Sequence, residues 1–453
     1  MKRSVVWLVV CLGLGCGVAA PFRIEVVDEE SGWPVPLVEL ETTHSVKFVS
    51  DNAGRIAFDL PELMGVETWL SVRGHGYEVK KDGFGYAGVR LTPESGGQAT
   101  VRVKRRLPGR RIGRLTGVGL FAESQKLGLE TDWQESGVLG CDSVQIARYR
   151  GRVHWAWGDT ILAHYPLGLF HMLGATTEGR PYAGLEPPLR PQFGYFRSAN
   201  GRVRNTAEMP GTGPTWVSGF IALKDAAGEE RLVGHYVKVK PPLSVYESGL
   251  CVWNDGEERF ELLKVLWNEE RDRGSAPPAP DGHPVRVIED GKGWVVFGDP
   301  FPDLKCPDSF EAWADPDQWV ELEPQKTVPR RDGGEAVVPH RGSIQWSEWR
   351  QAWVGVFTRM GGEASQLGEI WYAEAPHWLG PWRNAVQVVA HDNYTFYNPR
   401  IHAEFTEEGS PLLFFEATYT REFAHHAEPT ARHNYNQILY RLDLDDPDLV
   451  AGD

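Results

Sequence analysis

From Ile112 to the C-terminus the chain is a succession of short apolar runs that alternate with polar residues and stop at Gly, Asp or Pro, and helical periodicity is weak throughout. Period-two patterning of this kind commits a chain to strands whose two faces meet different surroundings. Five units can be drawn, near residues 136–200, 212–275, 283–335, 340–390 and 394–446, each carrying aromatic residues. Four-strand units of about 40 to 50 residues are propeller blades, and longer loops account for the excess length. The 50 Gly, 32 Pro and 18 Trp suit such a chain. The expected fold class is therefore all-β, a five-bladed β-propeller preceded by a small N-terminal β-sandwich. The prolines of Ser275-Ala276-Pro277-Pro278-Ala279-Pro280 keep that stretch out of a central strand and make it a loop between units.

A chain of 453 residues exceeds what one hydrophobic core supports. Residues 21–106 alternate in the shorter runs of a small antiparallel sandwich, with Ser50-Asp51-Asn52-Ala53-Gly54 as a hairpin tip and Val101 to Lys104 as a last strand. Residues 107–114, inside the basic run Lys104 to Arg114, read as a solvated linker, and residues 115–453 as the propeller. Residues 1–20 have the build of a secretory signal: Met1-Lys2-Arg3, an apolar run from Val5 to Cys16 too short to span a bilayer, then Gly17-Val18-Ala19-Ala20. A secreted or periplasmic protein is expected, with no transmembrane segment in the mature chain. Leu12-Gly13-Leu14-Gly15-Cys16 leaves lipoprotein anchoring as an alternative, against which Gly13 counts.

The net charge of −15, with basic residues scattered outside Lys104 to Arg114, gives no footprint for nucleic acid. Loss of the leader leaves Cys141, Cys251 and Cys306, so at most one disulfide can form, and the ordinary role of all three is that of buried small hydrophobes. Neither Cys spacing nor His425-His426 and His433 supplies a metal template, and no cofactor is expected. Gly-x-Ser-x-Gly and His-Glu-x-x-His are absent, which disfavours hydrolases built on those devices.

Cys141-Asp142-Ser143 and, after an Arg150-Gly151-Arg152 turn, Trp157-Gly158-Asp159-Thr160 place two carboxylates at the ends of paired antiparallel strands. Cleavage of a glycosidic bond requires two such acids. Asp142 and Asp159 are therefore candidate catalytic residues, and structural turn aspartates are the competing reading. Glu416, in the apolar strand Phe414 to Thr418, is a third candidate acid, because a buried carboxylate must be paired or carry a raised pKa. Tyr397, Asn398, Arg400 and His402 from the aromatic segment Tyr394 to His402, together with Trp157, are candidate substrate-binding residues. Glu374 reads as a solvated or strand-paired glutamate, with a general acid as the alternative, and Glu247 as a strand-edge glutamate, with a funnel-facing residue as the alternative.

Two resemblances sharpen these expectations. Val27-Asp28 to Pro36, Thr42 and Ser50 to Ile56 resemble the carboxypeptidase regulatory-like accessory domains of secreted bacterial proteins, which implies support or docking. Asp142-Ser143 through Trp157-Gly158-Asp159-Thr160 resembles the opening blade of the uncharacterised-domain family that includes bacterial endo-D-arabinanases. That resemblance implies an acid/base or nucleophile pair in Asp142 and Asp159, and a polysaccharide or glycan as partner. The expected function is glycoside hydrolysis in the propeller funnel. The alternatives are a non-catalytic propeller that binds glycan or protein, and a polysaccharide lyase using His402, Arg400 and Tyr397.

Overall fold

The computed structural model describes residues 20–180, 186–424 and 428–450. The leader up to residue 19, with Cys11 and Cys16, and His425-His426 lie outside the described residues.

Residues 22–105 form two four-stranded sheets. Arg55–Phe58, Phe22–Asp28, Gln98–Arg105 and Tyr77–Glu78 make one; Lys47–Val49, Glu39–Thr42, Thr68–Arg73 and Gly88–Leu91 make the other. Alternation puts Phe22, Ile24, Val26 and Val101 from the first sheet against Leu40, Phe48 and Leu70 from the second in one buried cluster.

Five further four-stranded sheets follow in chain order. The first has the strands Val144–Tyr149, Arg152–Trp157, Leu173–Thr177 and Gly194–Tyr195; the second runs from Thr215–Lys224 to Arg259–Asn268; the third from Val285–Glu289 to Val320–Glu321; the fourth from Pro339–Ser347 to Arg383–Ala390. The fifth takes Thr395–Ile401, Leu412–Thr420 and Asn436–Asp443 and completes itself with Arg110–Arg114. The sheets close into a ring because five buried clusters each draw on two neighbours. Tyr149 and Phe220 join the first and second, Val233 and Phe297 the second and third, Phe301 and Phe357 the third and fourth. Val356 and Phe415 join the fourth and fifth, and Trp155 and Phe414 bring the fifth back to the first. An all-β propeller results, held face to face by apolar side chains.

The strand Arg110–Arg114 lies within what the sequence suggests is a linker. It is fully buried and pairs with Asn436–Asp443. Its charges are absorbed where the sandwich meets the ring: Arg110 lies 3.6 Å from Asp28, Arg111 donates to Pro36 O and His75 O, and Arg114 donates to Val118 O. The sandwich also inserts its hairpin tip. Asn52 accepts from Arg114 N and donates to Arg114 O and Leu189 O, at 2.9, 2.9 and 3.3 Å.

Cys141, Cys251 and Cys306 are free and buried, each in a different inter-sheet cluster.

Candidate functional site

The hairpin that opens the ring does not stop at the first sheet. Before Val144 and after Trp157 its two strands continue into a small three-stranded sheet of Val138–Cys141, Thr160–Leu162 and Tyr165–Leu169. Asp142-Ser143 and Gly158-Asp159 are the joint between the two sheets, so the two aspartates face each other across one hairpin. Asp142 N donates to Asp159 O at 3.2 Å and Gly158 N to Asp142 O at 2.9 Å, while Ser143 takes a left-handed conformation with φ 37°. A non-glycine residue in that region turns the chain sharply at the joint.

Both carboxylates are half-buried and each is held from behind at one oxygen. Asp142 Oδ2 accepts from the hydroxyls of Tyr397 and Tyr435, each at 2.6 Å. Asp159 Oδ1 accepts from Trp216 Nε1 at 2.9 Å. Among the described residues Asp142 Oδ1 and Asp159 Oδ2 accept no hydrogen bond. Burial raises the pKa of Asp142 to about 6, against the two tyrosine hydroxyls, which favour its ionised form, and with a further push from Asp159. Burial also raises Asp159, against the pull of the Trp216 N–H.

Other carboxylates ring the same mouth, each spanning a junction between sheets. Ser218, two residues beyond Trp216 and on the same strand face, donates to Asp281 ahead of the third sheet. Asp299 of the third sheet accepts from Arg341 Nη1 at 2.8 Å and Gly342 N at 2.6 Å on the fourth, and burial raises it to about 6. Ile401 N donates to Ser343 Oγ at the remaining junction, at 2.7 Å.

Of the eight residues singled out from sequence, the structure brings four together: Asp142, Asp159, Tyr397 and Asn398. Asn398 sits at a register shift in the first strand of the fifth sheet, with φ 53°, and its amide donates to Ser143 Oγ beside Asp142. Bulges of this kind re-aim side chains near sites. The other four do not join them. Trp157 is 0% exposed, stacked on Trp155 and met edge-on by Phe193, so it is core between the first and fifth sheets, closed to substrate. Glu416 and His402, 1% and 0% exposed, pair with each other at 3.0 Å, with His402 stacked on Phe405. Neither side chain is open to a polymer, so the roles of catalytic acid for Glu416 and sugar ligand for His402 are corrected to that of a sealed internal pair. Arg400 is committed to Glu404 at 3.6 Å and to Ile401 O, a half-buried ion pair in place of a substrate contact. Of the three residues the lyase arrangement would use, His402 is sealed and Arg400 is paired, and Tyr397 alone stands beside Asp142.

Glu374 is held by Arg350 and Tyr372, and Glu247 by Tyr236 and Asn268, as strand-paired glutamates. Sequence reasoning missed Tyr435, Trp216, Asp281, Asp299 and Arg341. No local signal marks them, because ring order and not chain order brings them to the mouth. Phe423 stands beside Tyr397, 60% exposed in a left-handed conformation and edge-on to that ring at 5.8 Å.

No family model and no curated protein matches the chain. Among solved structures it is similar to an exo-1,5-α-L-arabinanase from a bovine ruminal metagenomic library, at 13% identity over 68% of this chain and 94% of that one, with a TM-score of 0.37. It is similar as well to an endo-1,5-α-L-arabinanase from Thermotoga petrophila, at 11% identity over 67% and 71%, TM-score 0.39. The arabinanase of Bacillus subtilis gives 9% identity over 67% and 96%, TM-score 0.35.

Proposed function

We propose that the protein hydrolyses glycosidic bonds in a polysaccharide, with Asp142 and Asp159 as the carboxylate pair. The observation that carries this reading is the joint itself: two aspartates face each other across one hairpin at the mouth of the ring, each held at one oxygen and free at the other. Glycoside hydrolysis needs one carboxyl to protonate the leaving oxygen and another to stabilise or attack the oxocarbenium-like centre. Asp142, raised to about 6, retains a proton in weakly acidic solution and suits the acid. Asp159 then supplies the second carboxylate.

Asp142→Asn and Asp159→Asn are each expected to lower turnover by at least about 100-fold, while glycan binding by affinity electrophoresis persists, because the amide keeps the shape and loses the ionisation. Reducing-end release from arabinans, galactans and uronate-containing polymers measures this. Wild-type rates in both variants would remove the pair from catalysis.

One observation favours a second reading, that of a glycan-binding propeller. Asp281 and Asp299 show that this ring also uses aspartates simply to tie sheet to sheet. Binding of a polymer with no bond cleaved in any of them would establish it.

A further inference from the structure

Asp142 is over-determined for a turn residue. Its Oδ2 accepts two hydroxyls at 2.6 Å, from Tyr397 on the first strand of the fifth sheet and from Tyr435 on the segment leading to that sheet's third strand. Two donors at one oxygen occupy both of its in-plane lone pairs. Its Oδ1 lies where residue 158 would carry a side chain: a Cβ built on Gly158 would stand 2.0 Å from that oxygen. No methyl group fits at that distance, so the glycine is required by the approach of the carboxylate. The backbone is fixed as well, by the Asp142 N to Asp159 O and Gly158 N to Asp142 O bonds. Side chain and main chain together leave the carboxylate one orientation.

We infer that Tyr435, with Tyr397 and Gly158, is a positioning residue that reserves Oδ1 of Asp142 as the single oxygen through which this carboxyl takes or gives a proton. The inference rests on the hydrolase reading of the pair but reaches a property measurable without it. The groups facing Asp142 are Asp159 from the partner strand, Cys141 from its own, and Tyr397 and Tyr435 from the fifth sheet; behind Tyr397 lies Arg341 of the fourth sheet, paired with Asp299. Both hydroxyls favour the ionised carboxylate. Removing either therefore moves its titration upward, a result that the loss of a structural tie alone would not give.

The test is a titration of the Asp142 carboxyl carbon by NMR in the full chain, assigned by its disappearance in Asp142→Asn. Tyr435→Phe and Tyr397→Phe are each expected to raise the midpoint by about one pH unit, and the double variant by more. The limb of the pH-rate profile governed by Asp142 should move in the same direction by the same amount. Gly158→Ala should reduce turnover by more than about 100-fold by displacing Oδ1, with the fold checked by its melting transition. An unchanged midpoint in both phenylalanine variants overturns the inference, even if glycans are cleaved normally. A raised midpoint in a protein that cleaves no glycan leaves the positioning intact and removes the hydrolase reading.

Discussion

Asp142 carries a cost that its neighbours only partly offset. Its ordinary pKa of 3.8 becomes about 6 in the folded chain, chiefly through burial. Between those values the folded state binds more protons than the unfolded state, so stability falls as pH rises through that window, and the loss is complete above it. A shift of this size corresponds to at most about 3 kcal/mol at neutral pH, less what solvent screening removes from a half-buried group. Asp142→Asn is therefore expected to melt several degrees above the parent at pH 7.5 and at nearly the same temperature at pH 4, as calorimetry at the two pH values would read. A variant that is less active and more stable is the behaviour of a strained functional group. That Asp142 and Asp159 face each other was legible in the sequence, because a six-residue strand, a tight turn and another six-residue strand fix their relation locally. Glu416 and His402 were misread for a related reason. Sequence shows a carboxylate in an apolar strand, but only the structure shows that its counter-group is a histidine and that the two close each other off.

At the scale of elements, strands with alternating apolar residues were visible and the one without them was not. Arg110–Arg114 has three arginines in five positions, and its burial depends on acceptors from the sandwich that no local pattern announces. Its single large apolar residue, Ile112, is 0% exposed between the first and fifth sheets. Ile112→Ala is expected to cost about 2–4 kcal/mol by lost transfer energy and the cavity left behind, measured as a lower urea midpoint with an unchanged slope. Trp216 was invisible as a partner for a different reason. It lies 57 positions from Asp159, and only the packing of the first sheet on the second brings the indole N–H to the carboxylate.

On the whole-molecule scale, the sandwich is part of the ring's closure. Asn52 satisfies both backbone groups of Arg114 and the carbonyl of Leu189, and Leu37 packs into the cluster between the fourth and fifth sheets. A chain starting at residue 115 lacks the closing strand and is expected to lose its cooperative unfolding transition. A chain starting at residue 107 keeps that strand but not its acceptors, and should unfold cooperatively at lower urea than the full chain. Two separate transitions in the full chain would show instead that sandwich and ring are independent. The pairing of Arg114 with Ile438 has a further consequence, which is one of time. During synthesis at about 5–20 residues per second, the closing strand waits roughly 15 to 65 s for its partner to emerge. For that interval it is an unsatisfied edge, the kind of template on which chains aggregate. The three arginines that hid it from view in the sequence are what a waiting edge needs, since like charge keeps a second nascent copy from pairing there before the chain's own last strand arrives.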